Sequence, residues 1–191
     1  MVTFTPNDQK LKELILYVCF KSEQDEAFGA VKLNKLLFFA DFVAYARFGT
    51  PITGQEYMAL KQGPAPRRLL RLRQELIGDG RLALQKTDYF GLKQDKPVAL
   101  DAPKLELFTA HEIALVDAVI EGLKGVNATE VSSKSHKLIG WRLAEEGETI
   151  PYTVALIGRR EAMPKDYALL PKLEEIARRC MKEEREPSAE V

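Results

Sequence analysis

The stretch Lys32-Leu33-Asn34-Lys35-Leu36-Leu37-Phe38-Phe39-Ala40-Asp41 decides the fold. On a wheel of about 100° per residue, Lys32, Lys35 and Arg47 of the window 31–48 cluster on one side. Asn34, Asp41 and Tyr45 form a narrow stripe opposite, and nearly all else is apolar. A helix apolar over most of its circumference sits at the centre of its domain. A bare charge such as Asp41 is costly to bury. The reading therefore expects Asn34, Asp41 and Tyr45 to belong to a buried polar network or to line a cleft.

Working outward, Pro6 and Asn7 or Asp8 open a helix to about Phe20, with Leu11, Leu14, Ile15, Val18 and Cys19 at helical spacing. A charged loop, Lys21 to Phe28, precedes the central helix, expected from Ala30 to Arg47 and stopped by Gly49 and Pro51. A strand is expected within Thr53–Lys61. Gly63-Pro64-Ala65-Pro66 then breaks any regular ladder, since Pro lacks a donor. A helix from about Pro66 to Ile77 turns Leu69, Leu72 and Leu76 inward and Arg67, Arg71 and Gln74 outward. A hairpin follows, with Arg81–Lys86 and Leu92–Leu100 flanking a turn at Asp88–Gly91.

Thr109 and Glu112 form a capping-box pattern ahead of an apolar stripe of Ile113, Val116, Ile120 and Leu123. Asn127 and Glu130 cap a short helix running through His136. Trp141 and Tyr152 fall in a loop-rich region, as interface anchors or as plugs of the core. A last helix is expected from Leu170 to Lys182, and a polar, disordered tail from Glu183 to Val191. The expected fold is α+β and predominantly α-helical, packed around a central apolar helix with a small antiparallel sheet or hairpin. One domain spans 1–182, its C-terminal helical extension beginning at about 156.

With 46% apolar and 29% charged residues and zero net charge, the chain reads as a globular cytoplasmic protein. The longest apolar run, Leu36 to Ala46, is too short for a bilayer span of about 20 residues. No secretory leader pattern opens the sequence. Cys19 and Cys180 lie in apolar helical patterns and read as reduced core thiols. The charge is uneven: Lys61, Arg67, Arg68, Arg71, Arg73, Arg81 and Lys86 face only Glu75 and Asp79 in the same span. Such a run is either a solvated face or a patch for phosphates or an acidic partner. Helix, strand, helix and hairpin in this order also raise a winged-helix-like DNA-binding regulator as an alternative.

No motif for catalysis stands out. His111 and His136 are the only histidines, and no zinc-ligand spacing accompanies them. Ser132-Ser133-Lys134-Ser135-His136 holds nucleophile and base types, but neighbours in sequence do not make a triad. Gly78-Asp79-Gly80 lacks the later glycine and the preceding strand of a phosphate loop. The expectation is a non-enzyme with no catalytic residue, metal or cofactor.

The ordered set of Lys32-to-Asp41, Gly49-Thr50-Pro51-Ile52, Lys61-Gln62-Gly63-Pro64-Ala65-Pro66 and Ser132-to-His136 with Trp141 resembles the Panacea domain of SocA-like antitoxins, over about residues 8–155. Gln62 stands where many members carry Tyr before Gly-Pro. The resemblance implies a cytosolic protein of a bacterial toxin–antitoxin or phage-related locus. It would neutralise a cognate toxin by direct protein–protein contact, with delivery to an ATP-dependent protease as a special case. The partner-binding candidates are Lys32, Lys35, Lys61, Arg67, Arg71, His136 and Trp141, with Lys32, Lys35 and the Arg67–Arg73 face as an electrostatically steered edge. Gly63 and Pro64 are expected to be architectural.

Overall fold

A computed structural model describes residues 3–89, 91–136 and 144–156. Helix α1 (Asp8–Lys21) starts at Asn7, whose side chain accepts from Lys10 N at 2.9 Å. Helix α2 (Ala30–Phe48) ends at Gly49, where φ is 76°. That left-handed residue suits glycine, and its N–H donates to Tyr45 O at 2.9 Å to close the last turn. Strands β1 (Tyr57–Met58) and β2 (Ala65–Pro66) precede α3 (Leu69–Gly78) and the hairpin of β3 (Leu82–Tyr89) and β4 (Leu92–Ala99). A 3₁₀ turn (Leu105–Leu107) leads to α4 (Ala110–Leu123), opened by a complete Thr109–Glu112 capping box. Helix α5 (Ala128–His136), strand β5 (Thr149–Ile150) and a 3₁₀ turn (Tyr152–Leu156) complete the described chain.

The fold is α+β and mostly helical. Helix α2 is central: it packs against α1, α4, α5, β2, β4 and the 152–156 turn. It buries Leu33, Leu36, Leu37, Phe38, Phe39, Ala40, Phe42, Ala44 and Tyr45. A small antiparallel sheet runs β2-β1-β5, and the β3–β4 ribbon is a separate two-stranded sheet.

Three expectations are corrected. The first strand is confined to Tyr57–Met58, and the turn segment does continue a ladder: Met58 pairs with Ala65 and Tyr57 with Pro66. Pro66 is tolerated because β2 is an edge strand, where a missing donor leaves no partner unpaired. Arg67 N–H donates to Glu56 O at 2.8 Å and prolongs this pairing, so α3 begins at Leu69 rather than Pro66. The expected helix over 170–182, the tail, Trp141 and Cys180 lie outside the described residues.

The N-terminal arm closes one end of the core. Asn7 N–H donates to Thr53 O at 2.9 Å. Gly54, at φ 66°, lies so close to the arm that a Cβ there would sit 2.8 Å from Thr5 O, so only glycine fits.

Candidate functional site

The polar residues of α2 face inward. Asp41 is wholly buried, and its carboxylate accepts from Thr53 N at 2.7 Å, from the Tyr57 hydroxyl at 2.8 Å and from Thr53 Oγ1. The same Tyr57 hydroxyl lies 2.9 Å from Leu37 O. Burial raises the Asp41 pKa above the usual carboxylate range, against the lowering effect of the Thr53 and Tyr57 hydrogen bonds. Around this centre Phe38, Phe42, Tyr57 and Tyr152 pack their rings, and Tyr152 donates to Gln55 O at 2.7 Å. The arrangement clamps α2 to the 52–57 segment. It gives the carboxylate no opening to a substrate.

Asn34 and Tyr45 are not Asp41's partners. Tyr45 is buried through its ring, at 5.7 Å from both Phe4 and Tyr152. Asn34 is half-buried, its Oδ1 without a hydrogen-bond partner.

Lys32 and Lys35 overturn the expected electrostatic edge, because both are buried. The 22–29 loop folds over Lys32 and brings Asp25 Oδ2 to 2.5 Å from its Nζ, while Asp25 also accepts from Ala27 N at 3.0 Å. Burial lowers the Lys32 pKa, and the bond to Asp25 offsets part of that. Lys35 Nζ is buried and has no hydrogen-bond partner. Burial drives its pKa down to about 8. A wheel drawn for one helix cannot show what the rest of the chain lays over its polar side.

The basic run is exposed but largely answered by carboxylates. Arg68 Nη1 donates to Asp8 Oδ1 at 3.1 Å, and Arg71 bridges Asp8 at 2.5 Å and Glu75 at 2.6 Å. Arg67 donates to Gly147 O and Thr149 Oγ1, each at 3.1 Å, and lies 3.5 Å from Glu56. Lys86 meets Asp95 at 2.6 Å. Most of these acids come from outside the 61–86 span, so the run is far closer to neutral in space than in sequence. A phosphate backbone would have to displace them. Lys61 is exposed at the turn, and the neighbouring Gln62 carbonyl accepts from Ser132 Oγ on α5 at 3.1 Å.

On the outer face of α3, Leu70 is 63% and Ile77 38% exposed, seven residues apart and so on one stripe. Arg67 and Arg71 lie beside it, with about half of each side chain in solvent. This is the described helix face that joins exposed apolar anchors to the predicted basic residues.

Sequence reasoning missed a further buried carboxylate. Glu13, fully buried on α1, receives Arg81 bidentately at 2.8 and 3.0 Å, Lys104 N at 2.9 Å and Gln9 Nε2 at 2.9 Å. Burial alone would raise its pKa, yet the Arg81 and Lys104 hydrogen bonds hold it below the ordinary value. The sequence offered little signal for it: Glu13 sits beside Lys12 between Leu11 and Leu14, whereas Asp41 stands alone among apolar neighbours.

Cys19 is a free, buried thiol whose pKa burial pushes up. His136 ends α5, and the ring of His111 lies 6.5 Å from that of Phe48. Among the described residues, no group of three or more His, Cys, Asp or Glu side chains is placed to hold a metal ion. No described helix is long and apolar enough to cross a membrane.

A family model described as antitoxin SocA-like, Panacea domain, matches residues 33–142, more than half of the chain. No curated protein and no solved structure matches it.

Proposed function

The chain belongs to the SocA-like, Panacea-domain antitoxin family, and on that premise we propose that it binds a cognate toxin polypeptide and neutralises it by stoichiometric contact, without covalent chemistry. The observation that carries this reading is the family match itself, spanning α2 to the end of α5. Two features of the site support it. Lys32, Lys35 and Asp41 of α2 are enclosed, Asp41 and Lys32 held by internal partners. Ser132, the first of the reactive types in Ser132–His136, donates its hydroxyl to Gln62 O at 3.1 Å.

The proposed contact is the outer stripe of α3. Leu70 supplies an apolar anchor that a partner would desolvate, and Ile77 extends it by two turns. Arg67 and Arg71, with their paired carboxylates, and Lys61 form a polar rim around it. Occlusion follows from covering the toxin's working surface. Delivery to an ATP-dependent protease would add a second partner to the same complex.

The test is co-expression with the product of the adjacent gene. The expected result is rescue of growth and a co-purifying complex of fixed stoichiometry. L70E should abolish both while keeping the parent's melting temperature. Rescue that persists in protease-deficient cells assigns occlusion, and rescue lost there assigns delivery. A neighbour that is neither toxic nor bound overturns the proposal, and L70E behaving as parent overturns the α3 assignment.

A further inference from the structure

We propose that the outer edge of β3 pairs with β3 of a second copy of this chain, joining two hairpins into a four-stranded antiparallel sheet. The ribbon of β3 and β4 has two outer edges, and the fold treats them differently. Leu100 N–H donates to Arg81 O, which marks 81/100 as a hydrogen-bonded pair. Alternation along the ladder then turns the main-chain groups of Leu84, Lys86 and Asp88 away from β4, and those of Lys93, Asp95 and Pro97 away from β3.

The β4 edge is closed. Pro97 removes a donor, Gln94 and Lys96 donate to the carbonyls of Glu26, Glu23 and Asp25, and the Asp95 carbonyl abuts Gly29. The β3 edge has no such cover: no main-chain group of Leu84, Lys86 or Asp88 has a partner among the described residues beyond the ladder. Lys86 and Gln85 are exposed, and Leu84 is 38% so. A long strand left open on one side is a template for another strand.

The charges select the occupant and its register. Lys86 opposes Asp95 within the ribbon, and Asp88 opposes Lys93, all on one face. A two-fold axis through Lys86 would set lysine against lysine, and one through Asp88 aspartate against aspartate. An axis through Gln85 would bring Asp88 against Leu82, which is buried where α3 meets β3. An axis through Thr87 sets Lys86 of each copy against Asp88 of the other. Each row of four strands then alternates in sign, Asp95, Lys86, Asp88, Lys93. The same axis brings the two Thr87 side chains together as a close, non-hydrogen-bonded pair. Thr87 Oγ1 is buried without a hydrogen-bond partner in the single chain, and the second Thr87 supplies one. Self-complementarity of this kind is what an isologous dimer requires.

Sedimentation over a concentration series tests the pairing. The parent should dimerise, more weakly at high salt. K86P should stay monomeric with an unchanged fold, because the proline falls at an outward N–H, as Pro97 does on the other strand. K86D and D88K each set like charges opposite one another twice and should weaken dimerisation about tenfold or more. Mixed, they restore both opposite-sign pairs and should form a heterodimer. A parent that stays monomeric at its highest soluble concentration, a K86P dimer as tight as the parent's, or variants that fail to rescue each other overturns the proposal. So does a monomeric parent whose K86P variant loses a co-purified toxin, which would place a foreign strand on this edge.

Discussion

Lys35→Met should stabilise the protein. The ammonium is buried with no acceptor, and a charge held that way costs folding free energy. In the unfolded chain the group has its ordinary pKa of 10.5, and in the folded protein burial lowers it to about 8. Between those pH values the unfolded chain binds the proton more tightly, so stability rises with pH through this window. Below about pH 8 the folded state carries the whole cost. The gap is worth about 3 kcal/mol at 1.36 kcal/mol per tenfold change in proton affinity. Methionine has similar length and no charge, so K35M should recover most of that at pH 7. For a domain of this size the gain corresponds to about 6–12 °C in melting temperature. Thermal unfolding of parent and variant side by side at pH 7 and pH 10 reads it out, since all other titrating groups cancel in the difference. At pH 10 the folded lysine is already neutral and the advantage should fall below about 1 kcal/mol. A K35M protein no more stable than the parent at pH 7, or equally favoured at both pH values, would refute the reasoning.

Three residues earlier the sign reverses. Lys32→Met leaves Asp25 buried and unpaired and should destabilise by about 3–5 kcal/mol, measured by urea unfolding. Asp41→Ala strips Thr53 N–H and its hydroxyl of their acceptor, leaving Tyr57 only Leu37 O, and should cost about 2–4 kcal/mol, while Asp41→Asn, which keeps an oxygen, should cost less in the same melt. Glu13→Gln should cost about 2–4 kcal/mol at neutral pH. Because the folded Glu13 is held below its ordinary pKa of 4.5, its contribution is complete above that value and is lost as pH falls through the lowered one. The gap between parent and E13Q should therefore close in acid titrations followed by circular dichroism.

The elements legible in the sequence were those written in local patterns. The apolar circumference of α2, the Thr109 cap and the stop at Gly49 each depend on residues a few positions apart, and each stands where it was read, while Asn7 proves to be the cap among the two candidates Asn7 and Asp8. What escaped depends on distant partners. Lys32 is inside because a loop returns Asp25 over it, and Arg68 and Arg71 are neutralised by Asp8, some sixty positions away. Strand β5 is two residues long and carries no periodicity, yet it completes the sheet on Tyr57. Pro66 misled because its rule about ladders holds for central strands, and only the assembled sheet shows that β2 lies at the edge. The exposed stripe of α3 was visible only in part. Arg67 and Arg71 were placed outward, but Leu70 goes unremarked until its 63% exposure is seen.

The way the N-terminal arm meets Tyr152 bears on how the protein is made. Phe4 packs edge-on to Tyr152 at 5.5 Å, so residues near the start of the described chain close against some near its end. A ribosome must release almost the whole described chain before that end of the core can shut. Until then Phe42 and Tyr45 lack the Tyr152 ring. A fragment trimmed to the matched segment 33–142 would remove the lid and all of α1 together. Its insolubility would report on missing neighbours and say nothing about toxin recognition.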